Sequence, residues 1–498
     1  MEQLSIFNEY KKEDYKVRLF SANYFHSDHY RKQLENELFD KMEITNKFSR
    51  QIVSYQLSKT QELHRWLKYR EGFSSELVNI LLDEMKISKD NTVLDPFLGS
   101  GTTAIVASMR GIKSIGFDIL PMSKVAIEVK KNIFKFNVSE IDKVITLIEK
   151  ICVPAKYKGS LNYLRITTGA YSKEIENEIC YITEFNEKAS YSDEVKSLVT
   201  LCIVNSLEKV SFTAKDGQYL RWDYRSEKVR NTNEKRINDG KKPLKTVLDK
   251  GDIPFFKDIV LMELNNVRSD IKKIQKEEKA VEMKIDFKQE SSLTGLPYLL
   301  DNTIDGVITS PPYCNRYDYT RTYALELAYF GYTDVSIKEL RQTLLTSTVE
   351  NKDKVSSLRK VYKELEREEF YNDVLNKVQE NEALSEVISA LEAREKNEEI
   401  NNKGIIRMVY GYFLELTLIF AELHRICKKG AQVAFVNDNV RYGGEVIPVD
   451  YLSSDLARQV GFNIEKVYVL PQLKGNSSQQ MKKYGRVPLR KSVTIWKK

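Results

Sequence analysis

The sequence predicts an α/β protein built on an open, mixed sheet, and three observations carry that expectation. Short apolar runs at Val93-Leu94, Ser114-Ile115-Gly116-Phe117 and Gly306-Val307-Ile308-Thr309 read as buried strands. Apolar residues recur at helical spacing after the first of them, beginning with Ile105, Val106 and Met109. Between that strand and that helix lies Gly99-Ser100-Gly101, and glycines in such a turn let the backbone bend tightly and a ligand approach closely.

Taken in order, the first strand follows Asn91 and Thr92, breaks at Pro96, and leads through the glycine turn to a helix starting near Thr102. The second strand ends in Asp118. An acid at the tip of the second strand can accept hydrogen bonds from both hydroxyls of a ribose, so Asp118 is the candidate ribose ligand. The best third strand, Lys284 to Phe287, comes only after a long interval. About 190 residues separate Asp118 from Thr309, far more than one helix and one strand require, and an inserted domain is expected there. The strand Gly306 to Thr309 then places Ser310, Pro311, Pro312 and Tyr313 at its carboxyl end, where open α/β sheets hold ligands. Tyr412 to Cys427 reads as a mostly apolar helix, Gln432 to Asn437 as the fifth strand and Leu452 to Val460 as a helix. Val467 to Leu470 and Val493 to Trp496 form a closing strand pair.

The tetrad suggests a chemistry. Proline has no N–H and fixes φ, so Pro311 and Pro312 stiffen the turn and hold nearby carbonyls outward as acceptors. An exocyclic amine conjugated into a base ring is a poor nucleophile because its lone pair is delocalised. If the Ser310 oxygen and the Pro311 carbonyl each accept an amino hydrogen, the nitrogen is drawn toward a tetrahedral shape and its lone pair is freed. A base inside a duplex must first be extruded, which costs a few kcal/mol, and stacking on Tyr313 recovers about 1–3 kcal/mol. Cys314 follows directly, but transfer to an amino group needs no thiol and a Pro-Cys catalytic pair is absent.

The string Asp95-Pro96-Phe97-Leu98-Gly99-Ser100-Gly101-Thr102-Thr103 resembles motif I of the DNA amino-methyltransferase family, and Thr309-Ser310-Pro311-Pro312-Tyr313 resembles its catalytic motif. The resemblance implies a Rossmann-like methyltransferase domain with a mixed seven-stranded sheet, an inserted recognition domain, and S-adenosyl-L-methionine as cofactor. It implies that Asp95 faces the methionine amino group and Phe97 packs against the cofactor, with Gly99, Gly101 and Thr102 forming the turn around it. Lys68-Tyr69-Arg70-Glu71-Gly72-Phe73-Ser74, followed by Leu77, Leu81 and Leu82, is similar to motif X, which implies that Phe73 closes over the methionine end. The cofactor motif precedes the catalytic one, which excludes the family's β permutation and leaves the α or γ order. In the α order the recognition domain follows the third strand, whereas here the third strand follows the insert.

Serine at the first tetrad position is commoner among N4-cytosine members of the family, so N4 of cytosine in a short site on double-stranded DNA is the expected target. Cytosine and adenine both offer an amino group beside a ring-nitrogen acceptor, and N6 of adenine stays open. An RNA amino-methyltransferase and a noncatalytic DNA-binding protein of the same fold are the further alternatives. The family also suggests a cognate restriction endonuclease as partner.

The expected organisation is an N-terminal extension (1–60), the cofactor-binding half (61–150) and an inserted domain (151–283). The catalytic strand and tetrad (284–331), a helical insertion (332–404) and the C-terminal half (405–498) follow. Within the insert, Leu161, Tyr163, Leu164, Val195, Leu198, Val199 and Ile203 suffice for a small core. Residues 211–250 change character, with Lys215, Arg221, Arg225, Lys228, Arg230 and further cations interleaved with Tyr219, Trp222 and Tyr224. Arginines can fork onto guanine edges or phosphates and aromatics can wedge or stack, which makes Arg221, Trp222, Arg225 and Arg230 the candidate DNA contacts. A solvated loop is the alternative. The 332–404 stretch, with Leu358, Val361 and Leu365, then Leu384, Val387, Ile388 and Leu391 at helix spacing, reads as an amphipathic hairpin or lid, with a buttress preferred to a clamp or dimer contact. The polar run Gly475 to Gln480 before Lys482, Lys483 and Arg486 is expected to lie near the site.

At 498 residues and 42% hydrophobic, the chain can fill one large core with satellites. A net charge of +7 favours a polyanionic partner. Cys152, Cys180, Cys202, Cys314 and Cys427 show no paired spacing and read as reduced thiols of a cytoplasmic protein. Charges break the first apolar residues, so no signal peptide is expected, and no apolar run approaches a membrane span. His26 and His29 have metal-like spacing without a matching pair, and no metal is implied.

Overall fold

The computed structural model describes residues 11–16, 27–69, 72–216, 219–244, 247–471, 484, 485, 487 and 489–498. Its strands in chain order are β1 (Met42–Ile44), β2 (Thr92–Asp95), β3 (Lys113–Phe117), β4 (Thr213–Asp216), β5 (Tyr219–Trp222) and β6 (Ile285–Lys288). There follow β7 (Ile304–Thr309), β8 (Cys427–Asp438), β9 (Val440–Tyr442), β10 (Glu445–Ile447), β11 (Asn463–Val469) and β12 (Lys491–Lys497). Eight of them form one sheet in the order β1, β11, β12, β8, β7, β2, β3, β6. Only β12 runs antiparallel to its neighbours; the other pairs are parallel.

The sheet therefore holds one strand more than the seven expected. The addition is β1, three residues from the N-terminal extension that pair with Val467–Val469 of β11. So short a strand leaves no period to read in the sequence. The third strand is β6, which lies after the insert and pairs with β3, as read from the sequence.

The central strands are apolar because helices cover both faces. Phe435 and Trp496 stack on one face with Phe420 of the helix Gly404–Ile426. Val93, Ile308, Val436 and Val493 pack on the other against the helix Ser75–Glu84. Gly404–Ile426 starts eight residues before the apolar segment read from the sequence. It is also long and apolar enough to cross a membrane, contrary to expectation, with 72% of its most apolar window buried among its neighbours.

The insert shares its core with the cofactor half. The helix Asp193–Leu207 buries Val195, Leu198, Val199, Leu201, Cys202, Ile203, Val204 and Leu207, an apolar surface too wide for a single partner. It packs between Pro121–Lys131 and the helices Lys173–Lys188 and Phe256–Glu277 in one continuous cluster. The expected small separate core is thus the outer part of a larger one. The 332–404 stretch forms four helices: Asp334–Thr343, Val355–Glu364, Glu368–Glu380 and Glu382–Lys396. The last three join the cluster around Gly404–Ile426 through Tyr362, Tyr371, Val374, Leu384, Val387 and Leu391. Lys354 adds a buried ion pair to Glu415 at 2.8 Å. The insertion thus has four helices in place of a hairpin, and the last three are rooted in the core.

The N-terminal helix His29–Leu38 is fastened by Arg490. That guanidinium is buried, pairs with Glu35, lies 2.9 Å from Asp450 and donates to the Tyr15 carbonyl. Arg490→Met would leave two carboxylates buried without their cation, and is expected to cost about 3–5 kcal/mol, read as a lower urea midpoint at unchanged slope.

Candidate active site

β2 and β7 are neighbours in the sheet, with Val93 opposite Gly306 and Leu94 opposite Val307. Their carboxyl ends therefore meet. Asp95 closes β2, and its Oδ1 accepts from the Thr309 hydroxyl at 2.7 Å and from the Phe97 amide at 3.0 Å. Its Oδ2 accepts from the Thr103 hydroxyl at 2.7 Å. The two motifs, 214 residues apart in sequence, are thus joined by one hydrogen bond. Burial pushes Asp95 up to about 6, against the pull of its three donors.

Asp118 stands one residue beyond β3. Its Oδ2 accepts from the Gly99 amide at 3.1 Å and its Oδ1 from the Leu120 amide at 2.8 Å. Burial raises it to about 6 as well. Gly99 has a φ of 55°, and a Cβ there would lie 2.8 Å from the Tyr69 ring. A side chain at this position would strain the turn and displace the ring that walls the site. The turn is held from below by Lys130, fully buried, which donates to the Ser100 carbonyl at 2.7 Å and is pulled down to about 7 by burial.

A cleft of about 760 Å³, partly open to solvent, lies above these strand ends. Its walls include Phe73, Asp95, Phe97, Gly99, Thr102 and Asp118, together with Ser310 and Pro312. Gly101 is turned away: its φ is 90°, and a Cβ would meet Ile127 at 3.0 Å, so it serves the helix start and its packing. Tyr69, Glu290 and Tyr319 also line the cleft and were not singled out in the sequence. Glu290 follows β6, so the strand-end rule that found Asp118 reaches it too. Arg70 and Glu71 of the motif X stretch lie outside the described residues.

The cleft suits a nucleoside carrying an amino acid. Asp95 and Asp118 accept only from amides and hydroxyls and pair with no cation among the described residues. An ammonium would supply the charge that Asp95 lacks, and a ribose diol further donors to Asp118.

The tetrad forms the neighbouring wall. Ser310 Oγ donates to the Tyr313 hydroxyl at 3.1 Å, which leaves the serine lone pairs to accept from elsewhere. Tyr313 is 7% exposed and does not line the cleft itself. Its hydroxyl also receives the Lys491 ammonium at 3.2 Å, and Lys491 lies 3.0 Å from Asp438. Nothing in the sequence marked Lys491 or Asp438. Cys314 is fully buried and burial pushes its thiol well up, as suits a packing residue.

A family model described as DNA methylase matches residues 2–128, and one described as D12 class N6 adenine-specific DNA methyltransferase matches residues 72–247. The chain is 52% identical to the type II methyltransferase M.BsoBI of Geobacillus stearothermophilus, over 97% of this chain and 95% of that protein. It is 38% identical to the type II methyltransferase M.AvaI of Nostoc sp. and of Anabaena variabilis, over 94% of this chain and 93% of theirs. The chain belongs to the type II DNA methyltransferases. It carries the family's α/β fold and uses the family's methyl donor, S-adenosyl-L-methionine.

The basic part of the insert folds as the antiparallel hairpin β4–β5, followed by the helix Glu227–Asn238. Arg221 is exposed on β5 and Arg230 on the helix. Trp222 is half-buried with the Lys228 ammonium 4.5 Å from its ring centroid. Arg225 grips Asp223 through Nε at 2.8 Å and Nη2 at 3.0 Å, and Nη2 also donates to the Gly251 carbonyl at 2.6 Å, so its guanidinium pins the hairpin base. Lys215 is also engaged inward: it pairs with Glu326 and lies 4.6 Å from the Tyr323 ring centroid. Tyr323 stacks on Tyr69 at 5.6 Å, which connects the hairpin to the cofactor cleft. His26, Lys245, the Gly475–Gln480 run, Lys482, Lys483 and Arg486 lie outside the described residues. Among the described residues no group of histidine, cysteine or acidic side chains is arranged to hold a metal.

The two raised carboxylates give a pH dependence with a definite sign. Both bind protons more tightly in the fold than at their ordinary value of 3.8, so their ionisation weakens the fold as pH rises toward 6. A ligand that donates to them favours the ionised forms. Cofactor affinity is therefore expected to rise with pH through about 6, being about tenfold weaker per carboxylate at pH 5 than at pH 7 by calorimetry. Asp118→Asn should lower the affinity at neutral pH and remove part of that slope.

Proposed function

We propose that the chain methylates N4 of cytosine within a short sequence of double-stranded DNA, in a restriction–modification pair with a cognate endonuclease. The observation that carries the reading is the Thr309–Asp95 hydrogen bond, which brings the glycine turn and the tetrad to one cleft, read here as methyl-donor and base-amino sites. S-adenosylmethionine supplies an electrophilic methyl group on a sulfonium. Asp118 would hold the ribose hydroxyls and Asp95 the methionine ammonium, and Phe73 and Phe97 would pack against the bound molecule. The turn Gly99 to Thr102 lets the backbone come close.

The tetrad treats the base. Ser310, its own proton given to Tyr313, accepts one amino hydrogen, and the Pro311 carbonyl accepts the other. Pro312 keeps the turn stiff, and the extruded base enters the cleft beside the tetrad. In the transfer the amino nitrogen would take the methyl group as the donor's S–CH3 bond broke to leave a neutral thioether, and its surplus proton would pass to solvent, with no covalent intermediate on the protein. Alignment supplies most of the acceleration, since the donor is reactive once the nitrogen stands in line.

Cytosine rests on Ser310 at the head of the tetrad. Adenine N6 is the second reading, favoured by the match to the D12 adenine-specific family over residues 72–247. That stretch holds the glycine turn and most of the insert but stops short of the tetrad, the part read as handling the amino group. DNA meets the insert through Arg221, Trp222 and Arg230, while Arg225 serves as framework for the hairpin that presents them.

Base-resolution sequencing of DNA from cells expressing the chain tests the target directly. N4-methylcytosine at one recurring sequence is expected, and N6-methyladenine there would select the second reading. Transfer of labelled methyl to tRNA but not to DNA would overturn both. Ser310→Ala and Tyr313→Ala are expected to slow transfer by at least about a hundredfold with cofactor affinity kept within about twofold.

Arg221→Ala and Arg230→Ala separate base reading from phosphate contact. A base reader loses about 1–3 kcal/mol with relaxed preference at one position, whereas a phosphate contact loses binding evenly and lowers the salt dependence. Parent-like binding and site choice in both would remove the hairpin and its helix from recognition.

A further inference from the structure

Lys491 opens β12, and the register of that strand sets it directly opposite Asp438 at the end of β8. The two side chains form an ion pair at 3.0 Å, with 12% and 18% of their surfaces exposed. A cross-strand pair of this kind needs nothing more to stabilise a sheet. Yet the Lys491 ammonium also reaches the Tyr313 hydroxyl at 3.2 Å and lies 5.0 Å from the centroid of that ring. Tyr313 in turn accepts from Ser310 at 3.1 Å. Asp438, Lys491, Tyr313 and Ser310 thus form one polar chain that runs from the sheet into the tetrad.

A serine hydroxyl has one proton and two lone pairs, and the proton turns toward whatever acceptor is near. If that proton faced the substrate, Ser310 would present a donor to a group that is itself a donor. A phenol oxygen held in place beside Ser310 takes the proton and leaves the lone pairs for the amino hydrogen. Tyr313 can do this only while its hydroxyl stays within reach, and a ring on a loop can rotate away. An ammonium tethered by Asp438 on the far side of the hydroxyl restrains that rotation. Burial opposes the charge on Lys491, but Asp438 and Tyr313 hold it well above its ordinary range, so it remains a donor and takes no proton from the substrate.

We propose that Lys491, tethered by Asp438, is a positioning residue for the reaction: it fixes the Tyr313 phenol so that Ser310 keeps its hydroxyl proton turned away from the substrate amino group. The inference rests on the reading of Ser310 as an acceptor. It concerns residues outside both motifs that resemble the family.

The test is a double-mutant cycle on the full chain, with unmethylated DNA and labelled S-adenosylmethionine. Lys491→Met is expected to lower kcat by about ten- to a hundredfold while KM for S-adenosylmethionine changes by less than about twofold. Lys491→Arg, which keeps a tethered donor, should recover most of the loss. Tyr313→Phe should show a similar loss, and adding Lys491→Met to it should cost less than about a further twofold, because the hydroxyl that Lys491 holds is already gone. The same fold loss in both backgrounds, or a Lys491→Met enzyme with parent kcat, overturns the proposal. Should Lys491→Met fail to fold with Asp438 left unpaired, the neutral pair Asp438→Asn/Lys491→Gln is read in its place by the same criterion. Parent turnover in Ser310→Ala would instead overturn the reading of the tetrad on which the inference stands.

Discussion

The carboxylate of Asp95 is the point on which the site depends. It is buried at the end of one strand, and an unsatisfied carboxylate there would cost several kcal/mol. Three donors satisfy it: a backbone amide two residues on, a hydroxyl at the start of the following helix, and the Thr309 hydroxyl at the end of the next strand. The last of these fixes how far the tetrad stands from the cofactor turn. A displacement of either strand end would break that bond before it reached the chemistry. The adjacency of β2 and β7 is a property of the sheet alone, which is why so large an insert between them leaves the geometry intact.

The insert is bound to the rest of the molecule at two levels. Its helices complete the core beside Pro121–Lys131 and Val138–Glu149, so it cannot swing as a free module. Its hairpin is locked more locally, by Lys215 on Glu326 and Tyr323 and by the stack of Tyr323 on Tyr69. The surface that carries Arg221 therefore has a continuous packed route to the wall of the cofactor cleft. The helical insertion reaches the cleft as well, through Thr343, Leu344 and Leu345 at the end of its first helix, while its last three helices pack around Gly404–Ile426.

Much of this was legible in the sequence because it depends on local chemistry. Asp95, the glycine turn, Asp118 and the tetrad each sit at a strand end, and a strand end is visible as an apolar run that stops. The central strands and the helices Thr102–Met109 and Val449–Gln459 were legible for the same reason. What escaped depends on pairing between distant segments. Thr309 reads as the last residue of a strand, and only the sheet order reveals that it faces Asp95. Lys491 and Asp438 are ordinary charges until the antiparallel register sets them opposite each other beside Tyr313. Arg225 looked like a groove-reading arginine by composition, but Asp223, two residues away, claims its guanidinium. Gly404–Ile426 was read as shorter than it is because Tyr410, Gly411 and Tyr412 blur its apolar period.

The three-residue strand β1 has a consequence beyond its size. Without it, β11 would be the border of the sheet, presenting Val467, Tyr468 and Val469 with unpaired backbone groups, the kind of template that recruits strands from other molecules. β1 covers that apolar half, and the Thr45 amide extends the cover by donating to the Val469 carbonyl. The half left bare carries Glu465 and Lys466, charges that resist strand addition. Met42 to Thr45, remote from the chemistry in sequence, thus cap the sheet edge, and a form lacking them would keep its motifs while baring the backbone of Val467 to Val469.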